Sequence, residues 1–294
     1  LITHKGYNHN STTTIRVAIK SWRHRSKKLS TFLIYVNPSL LQMLTVLRLA
    51  WIKKKVLCLL LRSKGGYSML EITNLVTSGW EAAIRGMRNP KSIPDGVNNS
   101  WDKADSHWTI KDGVSLPTSP NDFIYELGPN DLDLACRLIK AGTEHAKFLR
   151  MIHVQMDIIA PTFFLAEHDT YKVGTTRNSC SKMHKIHIKS FEPDDFTHEG
   201  IEEVPYAKMG FLNTLSICEK LRVDFNSTKD KKYWCALIEF LPESYNMLAT
   251  WDGSLQTILS ILKQRKGHKL DEWEQFRQAC FENIPYCKEF YEAM

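Results

Sequence analysis

No aspartate or glutamate occurs in residues 1–68, a tract that carries 13 lysines and arginines. The chain's formal charge of +7 is therefore not a property of the whole. Setting those 13 aside leaves 26 basic against 32 acidic residues from Met69 to Met294, a net of −6. An acidic remainder argues against a nucleic-acid surface spread over the chain, because phosphate backbones are held by summed positive charge. A clean apolar run is also missing. The stretch "LIYVNPSLLQMLTVLRLAW" is broken by Asn37, Pro38, Gln42 and Arg48 and falls short of the roughly 20 residues that cross a bilayer. No charged region, apolar segment and cleavage site follow one another as in a secretory signal. A tract without acidic residues is unlike selected protein, so residues 1–68 read as a leader ahead of a start at Met69, set aside from the fold. A basic amphipathic membrane anchor and a nucleic-acid-binding arm are the alternatives for it.

The seven cysteines, Cys58, Cys136, Cys180, Cys218, Cys235, Cys280 and Cys287, include no CxxC pair. An odd, unpaired set excludes a disulfide framework and points to a reducing compartment, the cytoplasm. Neither a GxxxxGK[ST] loop nor a GxGxxG fingerprint is present, so two common phosphate-binding designs are excluded. His184 and His187 stand at HxxH spacing without a carboxylate or further cysteine at ligand distance in sequence. They read as exposed histidines after a strand, not as metal ligands. Cys180 has no local base to activate it as a nucleophile.

What is present reads as an alternation of helices and strands. "TSGWEAAIRGMRNP" places Trp80, Ala83, Ile84 and Met87 on one helical face, with Thr77 or Ser78 as the cap and Pro90 as the stop. Residues 89–130, rich in Asn, Asp, Ser, Gly and Pro, read as a long surface loop. "PNDLDLACRLIKAG" reads as a helix capped by Asn130, with Leu134, Leu138 and Ile139 inward. "HVQMDII" alternates Val154, Met156 and Ile158 at the period of a half-buried strand. Phe163, Phe164 and Leu165 follow as core residues. Ser254 caps a helix striped by Leu255, Ile258, Leu259 and Leu262; Gly267 breaks it, and Trp273, Phe276 and Cys280 continue on a second helix.

The stretch "HDTYKVGTTRNSCSKMH", residues 168–184, gathers Lys172, Arg177 and Lys182 with hydroxyls and one glycine. Gly174 between Val173 and two threonines can expose backbone N–H groups to an anion. The three cations add charge-assisted donors for phosphate. A phosphate-bearing ligand is the sharper expectation, and a solvated surface turn the blander one. Arg265 taken alone reads as an exposed arginine near a helix C-terminus, where the dipole favours cations.

The order of these pieces resembles the flavin-dependent thymidylate synthases, the ThyX family. The resemblance runs from His145 through "KFLRMIHVQMDIIAP" and "HDTYKVGTTRNSCSK" to "LPESYNMLATWDGSLQTILSILKQRKGH", roughly residues 142 to 280. Aligned on Ala160-Pro161, the family's Arg-His-Arg triplet falls on Thr170, Tyr171 and Lys172, its downstream serine on Cys180 and the following arginine on Lys182. A one-residue shift matches Asn178 and Ser181 to the same pattern instead. Leu241-Pro242 then places the family's helix arginine on Arg265. The family arginine before Leu-Pro is absent here, where Ile238, Glu239 and Phe240 stand.

What the resemblance implies is an α+β fold with an antiparallel or mixed sheet flanked by helices, formed by residues 69–294. It implies reductive methylation of dUMP to dTMP with methylenetetrahydrofolate and NADPH as co-substrates and FAD as cofactor, in a homotetramer with neither membrane nor nucleic acid as partner. FAD would be held by Lys147, Thr170, Tyr171, Lys172, Ser254, Ser260 and His268. The nucleotide would be held by Glu167, Asn178, Ser179, Cys180, Ser181, Lys182 and Arg265, with Arg265 stabilising charge on the pyrimidine as the catalytic residue. No metal is implied. A homologue that binds flavin or nucleotide without catalysis is the alternative.

Overall fold

The computed structural model describes residues 70–93, 99–112, 114, 116, 117 and 123–294, all within a unit spanning Ser68–Met294. The basic leader and the start at Met69 lie outside the described residues. In chain order the elements are β1 (Glu71–Ser78), α1 (Trp80–Arg88), β2 (His107–Ile110), β3 (Phe123–Glu126) and α2 (Pro129–Lys140). A 3₁₀ turn (Lys147–Arg150), β4 (His153–Pro161), α3 (Thr162–His168), β5 (Thr175–Ser179), α4 (Lys182–Lys185) and α5 (Glu199–Glu202) follow. The chain ends in α6 (Pro205–Thr228), α7 (Lys231–Phe240), β6 (Asn246–Ser254), α8 (Leu255–Gln264), α9 (Asp271–Asn283) and α10 (Cys287–Ala293).

Four strands form an antiparallel sheet in the order β1-β4-β6-β5. Alternation on β4 buries Val154, Met156, Ile158 and Ala160, as a period of two requires. Against that face pack Trp80, Ala83, Ile84 and Met87 of α1, Phe164 and Leu165 of α3, the Leu255, Ile258, Leu259 and Leu262 stripe of α8, and Trp273, Phe276 and Cys280 of α9. Phe163 is only partly buried against this cluster. A second cluster joins Phe211 and Cys218 of α6 and Leu237 of α7 to Ile186, Phe191 and Phe196. No helix among the described residues is long and apolar enough to cross a membrane.

Several expected details are corrected. The cap of α1 is neither Thr77 nor Ser78 but Gly79, at φ +85°. A Cβ there would stand 2.1 Å from the Met151 carbonyl oxygen, so both the left-handed backbone and the close approach require glycine. Thr77 instead accepts a 2.8 Å hydrogen bond from the Trp80 indole. Asn130 is already inside α2, whose cap position is Gly128 and whose first residue is Pro129, where a fixed φ starts a helix without wasting an N–H. The free N–H groups of Asn130 and Asp131 are taken by the Asp105 carboxylate at 2.8 and 3.0 Å. The span 89–130 is not one loop. It holds two 3₁₀ turns and the β2–β3 ladder, in which Trp108 pairs Tyr125 with their rings edge-on at 5.1 Å. His187 is not exposed: its ring packs edge-on against Phe225 of α6 at 5.0 Å.

Candidate functional site

The turn between α3 and β5 is held by its own side chains. Thr170 Oγ1 donates to the Glu167 carbonyl at 2.7 Å, and Thr175 Oγ1 donates to the Tyr171 carbonyl at 2.7 Å. Gly174, at φ +69°, closes the turn with open space where a Cβ would lie. Across from it, Ser254 caps α8 by accepting from the Thr257 N–H at 3.2 Å. Every third residue of that cap and helix, Ser254, Thr257 and Ser260, then turns away from the buried leucine stripe.

Between turn and helix lies a cavity of about 760 Å³, lined by Thr170, Tyr171, Lys172, Val173 and Gly174 on one side and by Ser254, Gln256, Thr257 and Ser260 on the other, with Arg150 and His153. Its volume falls in the range of small-molecule sites, about 300–1,000 Å³. Hydroxyls, an exposed glycine backbone and the basic side chains Arg150 and Lys172 line it, and no carboxylate does. That donor set suits an anionic, hydrogen-bond-accepting ligand. Five of the seven residues expected to hold FAD, Thr170, Tyr171, Lys172, Ser254 and Ser260, are brought together here. Lys147 and His268 are not among its lining: Lys147 is exposed, 3.7 Å from Glu144.

His268 belongs to an adjoining knot. Glu167 Oε2 accepts from the Trp273 indole N–H at 2.8 Å and lies 3.2 Å from Arg265 Nη1 and 3.6 Å from His268 Nε2. Arg265 Nε donates to the Tyr171 hydroxyl at 2.8 Å, and its guanidinium sits 4.7 Å from the Trp273 ring centre and 5.4 Å from that of Tyr171. Stacking of this kind suits the flat, weakly hydrated arginine head. Tyr171 is shared: it lines the cavity and holds Arg265. The isolated helical arginine expected from patterning is instead one of the most engaged side chains of the fold.

The remaining expected nucleotide-binding residues lie farther along β5 and past it. Thr175, Arg177 and Ser179 take the half-buried positions of the strand, while Asn178 is exposed on the alternate face. The exposed Cys180 donates its backbone N–H to the Leu248 carbonyl at 2.9 Å, Ser181 caps α4 by accepting from His184 N at 3.2 Å, and Lys182 opens that helix. Glu167 and Arg265 are thus together in the knot, and Asn178, Ser179, Cys180, Ser181 and Lys182 are not in it. Arg177, a candidate phosphate donor by composition, is ion-paired to Asp169 instead. Among the described residues no three His, Cys, Asp or Glu side chains gather as a metal site.

Patterning had not picked out Arg150, His153, Gln256 and Thr257 for the cavity. A signal existed for Thr257, the middle member of the Ser254–Thr257–Ser260 polar stripe. None existed for Arg150, whose 3₁₀ turn carries no motif.

No protein-family model matches the sequence, and no curated protein sequence matches it. Among solved structures the chain is similar to thymidylate synthase X (ThyX) from Helicobacter pylori with FAD and dUMP, at TM-score 0.53 and 16% identity over 76% of this chain and 98% of that one. It is likewise similar to flavin dependent thymidylate synthase ThyX from the same organism complexed with FAD and dUMP, at TM-score 0.53 and 16% identity over 76% of this chain and 99% of that one. The antiparallel sheet, the helices packed on it and these two likenesses together establish a ThyX-like fold for this chain.

Proposed function

We propose that residues 69–294 form a flavin-dependent thymidylate synthase that converts dUMP to dTMP, with methylenetetrahydrofolate and NADPH as co-substrates, in the cytoplasm. The observation that carries this reading is the cavity between the 170–174 turn and α8, on a fold whose solved relatives hold FAD and dUMP. FAD bound there would supply hydride chemistry. Thr170, Tyr171, Lys172, Ser254 and Ser260 would hold it. The lining fits such a group: it offers hydroxyls and cations to a phosphate-bearing ligand and opposes it with no negative charge. Arg265, fixed by Tyr171 and Trp273, would keep a positive charge beside the pyrimidine as negative charge develops there. Exposed Tyr206, Met209 and Leu212 along α6 support burial of that helix in a homotetramer, since such side chains gain from being covered.

The second reading, a flavin- or nucleotide-binding homologue without catalysis, is favoured by one feature of the knot. Glu167 already neutralises Arg265 at 3.2 Å. The expected consequence is testable: Glu167→Gln, which keeps the shape and removes the charge, tightens dUMP binding roughly three- to tenfold. Arg265→Ala weakens it roughly tenfold or more, as loss of a charged hydrogen-bond donor does. Equal dUMP affinity in the parent and both variants would remove Arg265 from the nucleotide site.

The primary test is the visible absorption spectrum of the purified protein on adding FAD and then dUMP. A bound-flavin spectrum that shifts with dUMP is the expected result, and no flavin binding would sink the proposal. Rescue of a thymidine-requiring strain then separates the two readings: growth supports the synthase, and flavin binding without growth supports the homologue.

A further inference from the structure

Eight arginines lie among the described residues, and seven stand against a carboxylate: Arg85 on Glu81, Arg88 on Asp131, Arg137 on Asp133, Arg177 on Asp169, Arg222 on Glu219, Arg265 on Glu167 and Arg277 on Glu274. Arg150 is the exception within that set. Its Nε donates instead to the neutral Oε1 of Gln256 at 2.6 Å, and both residues line the cavity described above. A guanidinium held by an amide at Nε is oriented yet keeps its full charge, and its two terminal nitrogens remain as a fork for an anion. Lys172 contributes a second basic side chain from the 170–174 turn and likewise has no carboxylate partner among the described residues. In a unit with more acidic than basic residues, two basic side chains without a carboxylate partner among the described residues line one carboxylate-free cavity and leave charge for a ligand to neutralise.

We infer that Arg150, together with Lys172, binds the diphosphate of a dinucleotide ligand, and that Gln256 positions Arg150 for it. The inference rests on the flavin reading and narrows it. The cavity selects FAD over flavins that lack the diphosphate, and it does so through a residue outside the 168–184 stretch. Two phosphates match two cations. Bidentate contact from a guanidinium is the geometry that binds a phosphate most strongly, so arginine should not be replaceable by lysine without loss.

The test is titration of the full chain with FAD, FMN and riboflavin, followed by flavin fluorescence at low and moderate salt. The parent, Arg150→Ala, Arg150→Lys and Gln256→Ala would be compared. Arg150→Ala should weaken FAD roughly ten- to a hundredfold, the usual effect of losing a charge-assisted hydrogen bond, while riboflavin affinity changes less than about twofold. Arg150→Lys should fall between parent and alanine variant. Gln256→Ala should cost FAD less than Arg150→Ala and leave riboflavin untouched, because it loosens the arginine without removing it. Added salt should narrow the gap between parent and Arg150→Ala. If the parent binds FAD and Arg150→Ala binds it equally well, the inference is overturned and the flavin reading stands. A parent that binds no flavin overturns both. An equal loss for FAD and riboflavin would mean that Arg150 shapes the cavity without reading phosphate, and would also overturn it.

Discussion

Replacing Asp131 by alanine is expected to lower the unfolding free energy by roughly 3–5 kcal/mol, as removal of one partner of a buried ion pair does. Asp131 is fully buried at the start of α2, and Arg88, at the end of α1, is buried beside it. Arg88 Nε meets Asp131 Oδ1 at 2.5 Å, while Oδ2 accepts from the Asp105 N–H at 3.0 Å, the Ser106 N–H at 2.9 Å and the Ser106 hydroxyl at 2.6 Å. The rest of the guanidinium donates to Ser100 and to the Lys103 carbonyl. Burial alone would push the Asp131 carboxyl up, yet the bonds from Ser106 and Arg88 hold it below its ordinary value, so it is ionised in the folded protein. Alanine would leave a buried, unneutralised guanidinium and three unpaired donors on the half-buried Asp105 and Ser106, each costing free energy. Asp131→Asn keeps the shape and part of the bonding and should lose less. Urea unfolding at pH 7 measures both, and a loss below about 1 kcal/mol for alanine would show that water repairs the site. The network ties α1, the 3₁₀ turn at Ser100–Lys103 and α2 into one corner. Its loss should therefore loosen residues 99–112 first, visible as faster amide exchange there.

The elements legible in the sequence were those whose burial follows a period. β4 and the apolar stripe of α8 each present one face to the core, and the spacing of their side chains says so directly. β2 and β3 did not announce themselves. Each has four residues, Trp108, Ile110 and Phe123 are exposed, and the surrounding Asn, Asp and Pro read as loop. The cap of α2 was illegible for a different reason: the carboxylate that satisfies it, Asp105, lies 25 residues before Asn130. The candidate site divides along the same line. The 168–184 stretch carried its cations and hydroxyls in plain view, and the stripe at Ser254, Thr257 and Ser260 could be counted. What spacing cannot report is whether a charge is already spent. Arg177 looked available and is held by Asp169 across the turn. Arg150 looked ordinary, and among the described residues it meets the amide of Gln256 and no carboxylate.

His168, the residue before Asp169, is expected to make the protein acid-sensitive, and His168→Leu to remove most of that sensitivity. The imidazole is 1% exposed, and neither ring nitrogen has a hydrogen-bond partner among the described residues. It stacks on Trp273 at 6.0 Å and meets Trp251, Phe276 and Phe164 at 5.7, 5.4 and 5.9 Å. Burial in this aromatic box, with the positive charges of Arg177 and Arg265 nearby, pushes its pKa from 6.5 down to about 4. The carboxylates in the neighbourhood, Asp169 and Glu167, are those that pair these two arginines. Above pH 6.5 the ring is neutral whether the chain is folded or not, and no pH dependence arises. As pH falls from 6.5 toward 4, the unfolded chain takes up a proton that the folded chain refuses, so stability drops by about 1.4 kcal/mol per pH unit. Between pH 7 and pH 5 the loss is about 2 kcal/mol, or roughly 4–8 °C in Tm for a unit of this size. Leucine fills the box without a proton to exclude, so the variant should match or exceed the parent at pH 7, where an unpaired imidazole is lost, and should lead by about 2 kcal/mol more at pH 5. The decisive quantity is the difference between the two proteins' acid-induced losses, since the other histidines and the carboxylates titrate alike in both. Equal losses would mean that His168 reaches water or a hydrogen-bond partner when protonated, and that the box opens at a cost well below that of unfolding.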